Sequence, residues 1–568
     1  MACKDGCSRA ASLITGFAEL GQEVTSGQLA PEPNGRGEEK LCSNGYKFLF
    51  HSCRVPGAEK DAVNCYNPEM FNGEILVSRK NHFFSLNITG LNTAAIEAEL
   101  QKIVAMADTA APNIGALTTA SRDLWYSART KLLTNADNAA AMEKLERTMF
   151  MVCLDDSSPI TPTDTGRHSL NGPANRFFDK TMALVVYENG KAVFLGEHAK
   201  SDGSPTARLC DDLLTRLANG EVDHSVPAVS GSASASAIEP LPMAVVRIPK
   251  ILTHPYSSTS ATHARTHHCG RGTDTCLQDA EVEKDIAEAE AYIAQEWADH
   301  NWRAVRFLGY GKEAMKGFGM SPDAYAQMAM QLAYYRLNGK PCGTYESIMT
   351  RGFLHGRTEV GRSTSIDALN FCQAFDDPDI SDAAKVELLQ TATTAHSGYL
   401  ANAAQAAGCD RIMLGLKMVM TEDEAASEAA EVFTDPVRSP TPTFALRPWN
   451  LLAVASVLTS LNAARCRQVF GESGTWKMST SHLISDYFDG WGYGEVTPEG
   501  FGCSYTVRTK PVDAAAVLPL GWMDGRAQVK DYSVQFNVVS KGLDSEGLGA
   551  QTALVASCAE NKLGSSRE

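Results

Sequence analysis

The apolar positions of this chain switch repeatedly between a period of two and a period near 3.6, so strands and helices should interleave along its length. Glu74–Val77 and His82–Leu86 read as strands flanking a polar turn at Ser78–Asn81. Met182–Tyr187 and Lys191–Leu195 read as a hairpin closed at Asn189-Gly190, a pair suited to the two positive-φ positions of a type I′ turn. Thr93–Ala107 reads as a helix between them. Further on, Val282, Ile286, Ala289, Ile293 and Trp297 recur at helical spacing, with Glu and Asp filling the opposite face. Ser321-Pro322-Asp323 is a helix start: Ser caps, Pro occupies the first turn where no donor is needed, and Asp sits at the positive end. That helix should reach about Leu337, where Asn338-Gly339 and Pro341 stop it. Its body is apolar nearly all round, which predicts burial on most sides. Tyr532, Val534, Phe536 and Val538 alternate with polar residues, the pattern of a half-buried strand. The predicted class is α/β in both halves.

At 568 residues the chain exceeds what one core supports, so two domains are expected. Residues 225–240 are Ser/Ala/Pro-rich and residues 254–277 are polar without an apolar period, and this stretch reads as a linker between domains at 1–278 and 279–568. A net charge of −16 gives no basic field for nucleic acid, and a polyanion could bind only at a local Lys/Arg cluster. Fifteen Cys without a CxxC pair argue for a reduced compartment and against a zinc ribbon or disulfide scaffold. No apolar run is long enough to span a bilayer, so no transmembrane segment is expected. Neither terminus carries a readable targeting signal, and Asn87-Ile88-Thr89 is then a glycosylation-type match without consequence.

Four places could carry chemistry. His198 stands where a strand gives way to polar, Gly-bearing chain, and Asp202 four residues on could fix its tautomer. Lys312 and Lys316 would share one helical face just before the Ser321 cap, a seat for phosphate. Thr344-Tyr345-Glu346-Ser347 with Gly356-Arg357-Thr358-Glu359 gathers hydroxyls and an Arg suited to a carboxylate. Ser479-Thr480-Ser481-His482 precedes the Gly-rich run Gly490-Trp491-Gly492-Tyr493-Gly494. Neighbours on a strand point to opposite faces and no GxSxG elbow surrounds Ser481, so it reads as a hydrogen-bond donor rather than a nucleophile. His263, His267, His268, Cys269 and Cys276 lie in a low-complexity insertion without known ligand spacing, and no metal is expected. Taken singly, each place has a blander explanation as a core or solvated polar residue.

Read in order, they resemble the choline/carnitine acyltransferase family. The resemblance rests on the run Phe48 to Gly57 (FLFHSCRVPG), Gly196-Glu197-His198 with Asp202-Gly203, Ser321-Pro322-Asp323, Thr344 to Ser347, Gly356 to Glu359, Ser479-Thr480-Ser481, and Gly500-Phe501-Gly502-Cys503-Ser504-Tyr505. It implies two domains of the CoA-dependent (chloramphenicol acetyltransferase-like) acyltransferase fold, with mixed sheets and an active-site tunnel between them. It further implies a monomer with no permanently bound cofactor, using acyl-CoA as co-substrate and L-carnitine as acceptor, in a mitochondrion or peroxisome. In that resemblance His198 is the general base of a direct transfer, Asp202 holds it, and Ser481 donates to the oxyanion. Lys312, Lys316 and Asp323 meet CoA. Tyr345, Thr358 and Arg411 hold the carnitine carboxylate, with Ser479 and Tyr493 also lining the substrate site. Arg411 favours carnitine over choline, which has no carboxylate. Trp491 and Tyr493 stand where long-chain relatives are small, so acetyl is the expected group; Glu495 departs from the common Pro. A medium- or long-chain enzyme is the alternative. Because His198 comes early for the family, the opening helices are expected to be missing, which raises a second alternative, a non-catalytic CoA-binding remnant.

Overall fold

The computed structural model describes residues 5–243, 273–421, 474–508 and 534–541, apart from residues 36, 38, 72, 171–173, 235, 308 and 486. The expected insertion at 254–277 lies almost wholly outside these residues, as do Tyr532 and the histidines of the His/Cys cluster.

Fourteen strands are present among the described residues. β1 (Ser52–Val55) and β2 (Ala62–Cys65) form a separate hairpin. β3 (Glu74–Arg79), β4 (His82–Asn87), β5 (Met151–Leu154), β6 (Met182–Val186), β7 (Ala192–Gly196) and β8 (Ile238–Pro240) make one sheet in the order β7-β6-β5-β3-β4-β8. β9 (His300–Phe307), β10 (Thr344–Met349), β11 (Thr358–Gly361), β12 (Met478–His482), β13 (Phe501–Val507) and β14 (Val534–Lys541) make the other, in the order β11-β10-β12-β13-β14-β9. Read from β7 or from β11, both sheets have the same succession: one antiparallel pairing, two parallel, two antiparallel. The expected α/β class with mixed sheets is what the chain adopts.

Alternation within the first sheet explains how it is buried on both faces. Ile75, Val77, Val152 and Leu184 pack under helices Gly6–Thr25, Thr93–Met106 and Gly203–Asn219, while Leu76, Met151, Cys153 and Val185 pack under Arg122–Leu132, Ala136–Arg147 and Thr273–Ala298. The last of these helices runs across the expected boundary at 278/279 and buries Val282, Ile286 and Ala289 in the first unit's core. The second sheet is apolar on one face only. Met478, Cys503, Tyr505, Phe536 and Val538 pack under the helices Pro322–Asn338, Ile366–Phe375 and Asp382–Ala404.

Several local expectations need adjusting. Ser321 does cap its helix, accepting from the Ala324 N–H, and Gly339 (φ 66°) closes it in the left-handed region. The 182–196 hairpin is not closed by a type I′ turn. Only Gly190 has positive φ (73°), the Gly190 N–H donates to the Tyr187 carbonyl, and the Tyr187 N–H to that of Lys191. This is a type I turn followed by a left-handed glycine; Asn189 spends its side chain on the Pro159 carbonyl and the Lys191 N–H instead. The two-residue turn with both φ positive is at Lys80–Asn81. Residues 238–240 of the supposed linker form β8, hydrogen-bonded to β4. β14 is buried on both faces rather than one, because its polar residues Gln535 and Asn537 are covered as thoroughly as Phe536 and Val538.

Candidate active site

Strand register sorts the candidate side chains onto one surface. Tyr345 pairs with Ser479, Ser481 with Ser504, Ser504 with Asn537, and Thr358 with Met349 on the same side as Tyr345. Tyr345, Thr358, Ser479 and Ser481 therefore share the face of the second sheet away from its helices. That face meets the first unit: the Ala304 N–H donates to Thr163 Oγ1, and Gly166 lies against the Trp302 ring. Thr480 and His482 point the other way. Thr480 exchanges hydrogen bonds with Gln327, and His482 stacks on Tyr505 at 4.9 Å with Nδ1 3.5 Å from Asp323. Burial lowers the His482 pKa.

His198 comes from the first unit, just past the end of β7. Its ring is 74% exposed. Nδ1 lies 2.8 Å from the Ser201 carbonyl, which can only accept, so Nδ1 carries the proton and Nε2 keeps a free lone pair. The expectation that Asp202 holds this ring is not met directly, since the nearest Asp202 oxygen is 3.8 Å from Nδ1. Arg357 takes that carboxylate instead, with Nη2 2.7 Å and Nε 3.1 Å from Oδ1. The same guanidinium donates to the carbonyls of His198 (3.1 Å) and Ala199 (2.8 Å). Asp202 sits at the N-cap position of helix Gly203–Asn219 without capping it, because its oxygens are engaged by Arg357. Leu483, just beyond β12, lies against Gly203. The His198 loop thus docks at the carboxyl ends of β10 and β12, where α/β sheets gather reactive groups.

The residues assigned to a carboxylate come together. Arg411, in the first turn of helix Asp410–Val419, donates from Nη2 to the Tyr345 hydroxyl and to Thr358 Oγ1, both at 3.1 Å, and from Nε to the Thr358 carbonyl at 2.9 Å. The Tyr345 and Thr358 hydroxyls are 3.4 Å apart. An exposed guanidinium with two hydroxyls at one edge is a donor set suited to a carboxylate.

Ser479 Oγ donates to the Tyr493 hydroxyl at 3.5 Å. Tyr493 is half-buried, and desolvation pushes its phenol well above the usual range. Trp491 lies 5.7 Å from that ring and donates Nε1 to the Tyr505 carbonyl. Ser481 is half-buried and its hydroxyl has no hydrogen-bond partner among the described residues. Lys312 and Lys316 lie four apart in helix Lys312–Gly317; Lys316 pairs with Glu313 at 3.1 Å on the surface, and Lys312 is close enough to His482 to depress its pKa.

Behind this face, Asp323, Glu346 and His396 have ligand atoms within 4.8 Å of one another, a donor set that could hold a cation. Among the described residues Glu346 Oε2 and both His396 ring nitrogens are buried without a hydrogen-bond partner. Glu346 is 3.0 Å from His396 Nε2, and Asp323 accepts from the Tyr505 hydroxyl at 2.5 Å. Burial raises the Glu346 pKa to about 7.

Sequence reasoning missed Arg357 as a loop anchor, although it lies inside a motif singled out for carboxylate recognition; the carboxylate it holds belongs to its own chain.

The profile of the Choline/Carnitine o-acyltransferase family matches residues 2–518. Mitochondrial carnitine O-acetyltransferase of Saccharomyces cerevisiae is 29% identical over 482 residues, covering 83% of this chain and 62% of the relative. Human carnitine O-acetyltransferase is 32% identical over 432 residues, covering 73% and 63%. Bovine peroxisomal carnitine O-octanoyltransferase is 28% identical over 420 residues, covering 71% and 62%. The chain belongs to the choline/carnitine O-acyltransferase family. It spans a little over 60% of the length of these relatives. Among the described residues, no helix is long and apolar enough to cross a membrane.

Proposed function

We propose that this chain transfers a short acyl group, acetyl first, between CoA and L-carnitine, with His198 as general base. Carnitine seats its carboxylate on Arg411, Tyr345 and Thr358. Nε2 of His198 takes the proton of the carnitine hydroxyl as the oxygen attacks the thioester carbonyl. The oxyanion of the tetrahedral intermediate accepts from Ser481 Oγ, a contact of about 3–4 kcal/mol where such donors have been removed. Collapse expels the CoA thiolate, which recovers the proton from His198. The acyl group passes directly, so no enzyme nucleophile is required. Lys312 and Lys316 take CoA phosphates, Asp323 lies on the same co-substrate's path, and Ser479 and Tyr493 line the acyl and carnitine side.

The observation that carries this reading is the Arg411–Tyr345–Thr358 cluster, a carboxylate receptor on the sheet face where the His198 loop docks. It favours carnitine over choline, because only carnitine has an anion to offer it. Trp491 and Tyr493 support a short acyl group. Asp202 supports His198 through Arg357 and the loop backbone rather than by touching the ring. A mitochondrial or peroxisomal location follows the relatives' names, and a monomer remains the expected state. The test is thiol release from acetyl-CoA and octanoyl-CoA with L-carnitine or choline as acceptor. Acetyl-CoA with L-carnitine should be fastest. A preference for octanoyl-CoA would move the reading to the medium-chain alternative, and CoA binding without turnover to the non-catalytic one.

A further inference from the structure

Among the described residues the His198 ring makes one hydrogen bond, to the carbonyl of Ser201. Its direction is therefore set by the backbone on either side, and that backbone is anchored by the residue before it. Glu197 is 8% exposed at its side chain. One carboxylate oxygen accepts from the Ala199 N–H at 3.0 Å, bridging the two residues that flank His198; the other accepts from Arg54 Nη1 at 3.2 Å. The Glu197 N–H is tied to the Thr181 carbonyl at 3.0 Å.

Arg54 is itself fixed from behind. It lies on β1 and donates Nε to Asp61 at 2.6 Å, and Asp61 also accepts from Arg122 Nε at 2.7 Å. Arg122 clasps Asp179 with two hydrogen bonds of 2.8 and 3.0 Å, and buried Asp179 accepts from Trp125 Nε1 at 2.7 Å. The Arg54 N–H donates to the Asp179 carbonyl at 2.8 Å. An unbroken chain of alternating charge thus runs from the core through Trp125, Asp179, Arg122, Asp61 and Arg54 to Glu197. Its last link bridges the peptides around His198.

We propose that Arg54 and Glu197 are positioning residues for acyl transfer, holding the His198 backbone so that Nε2 faces the acceptor hydroxyl. This rests on His198 being the base. Removing Arg54 leaves the nearly buried Glu197 carboxylate without its cation, and it must then rehydrate by moving outward. The Ala199 bridge goes with it. A displacement near 1 Å at a reacting group costs about 10²-fold in rate. Substrate binding is untouched, because neither residue lies on the second sheet's site face.

The experiment compares Arg54→Ala, Arg54→Lys and Glu197→Ala with the wild type in two readouts. These are steady-state transfer from acetyl-CoA to L-carnitine, and hydrogen exchange of the peptide spanning residues 196–203. The expected result for Arg54→Ala is a kcat loss of about 10–100-fold with both KM values within about threefold, and faster exchange in that peptide. Arg54→Lys should recover part of the kcat. A folded Arg54→Ala enzyme with wild-type kcat and wild-type exchange overturns the proposal. If Arg54→Ala fails to fold, Glu197→Ala decides, since it leaves the Arg54–Asp61–Arg122 chain whole: a kcat loss supports the proposal and a wild-type kcat overturns it. If the wild type transfers no acyl group, the proposed function falls, and exchange alone then tests the anchor: faster exchange in Glu197→Ala supports it and unchanged exchange overturns it.

Discussion

Replacing Arg411 by alanine probes the proposed carboxylate receptor in isolation. The guanidinium donates to Tyr345, to Thr358 Oγ1 and to the Thr358 carbonyl, and it is exposed. Its loss leaves no buried charge unpaired, and the Tyr345 and Thr358 hydroxyls, 3.4 Å apart, can satisfy each other. Folding should change by less than about 1 kcal/mol. For the substrate, a hydrogen bond to a charged group is worth about 1.5–3 kcal/mol. The receptor's exposure favours the lower half of that range. At about 1.4 kcal/mol per decade this is a loss of roughly 10–40-fold in kcat/KM for L-carnitine. The carboxylate takes no part in the bonds that form and break, so the contact should be about equally strong in ground and transition states and the loss should fall on KM. The KM for acetyl-CoA should not move. The assay is thiol release at varied L-carnitine, repeated with choline, whose rate has no carboxylate contact to lose. The carnitine-to-choline preference should collapse. An unchanged carnitine KM, or equal losses for the two acceptors, would refute the receptor.

Other perturbations test other parts of the site. Trp491→Gly should raise the octanoyl-to-acetyl rate ratio at least about tenfold if the indole limits chain length, and an unchanged ratio assigns the limit elsewhere. Arg357→Ala frees Asp202 and two carbonyls of the His198 loop; with its guanidinium 45% exposed, the thermal midpoint should move little while kcat falls, which calorimetry and turnover on the same preparation would show. Burial lifts Glu346 to about 7, so the folded state binds that proton more tightly than the unfolded chain does. Its contribution to stability is full below the unfolded value near 4.5 and is lost as pH rises through about 7. Glu346→Gln, permanently neutral, should therefore gain in thermal midpoint over wild type on going from pH 5 to pH 8, and a constant difference would contradict the raised Glu346 pKa.

What could be read from the sequence divides along the range of the interactions. The Ser321 cap and the Gly339 stop were legible because both are local, settled within four residues by side-chain chemistry and φ. The 182–196 turn was located correctly but its type was not, since Asn189 had other partners at Pro159 and Lys191. β14 looked half-buried because Gln535 and Asn537 read as a solvent face. That face is closed by packing between distant segments, and Gln535 bonds Arg306 as well as Asn537. The Tyr345–Thr358–Arg411 receptor spans 66 positions and became visible only when motif order was compared with a family. Arg357 with Asp202 spans 155 and Arg54 with Glu197 spans 143. Each of these residues stood in a motif already singled out, but nothing local says which distant carboxylate an arginine will hold.

The central claim is that one imidazole nitrogen removes the acceptor's proton. It is tested by measuring acetyl transfer to L-carnitine by His198→Ala alongside CoA binding by calorimetry. The expected result is a fall in kcat of about 10²–10⁴-fold while CoA binds as in the wild type. Undiminished transfer by the variant would contradict it.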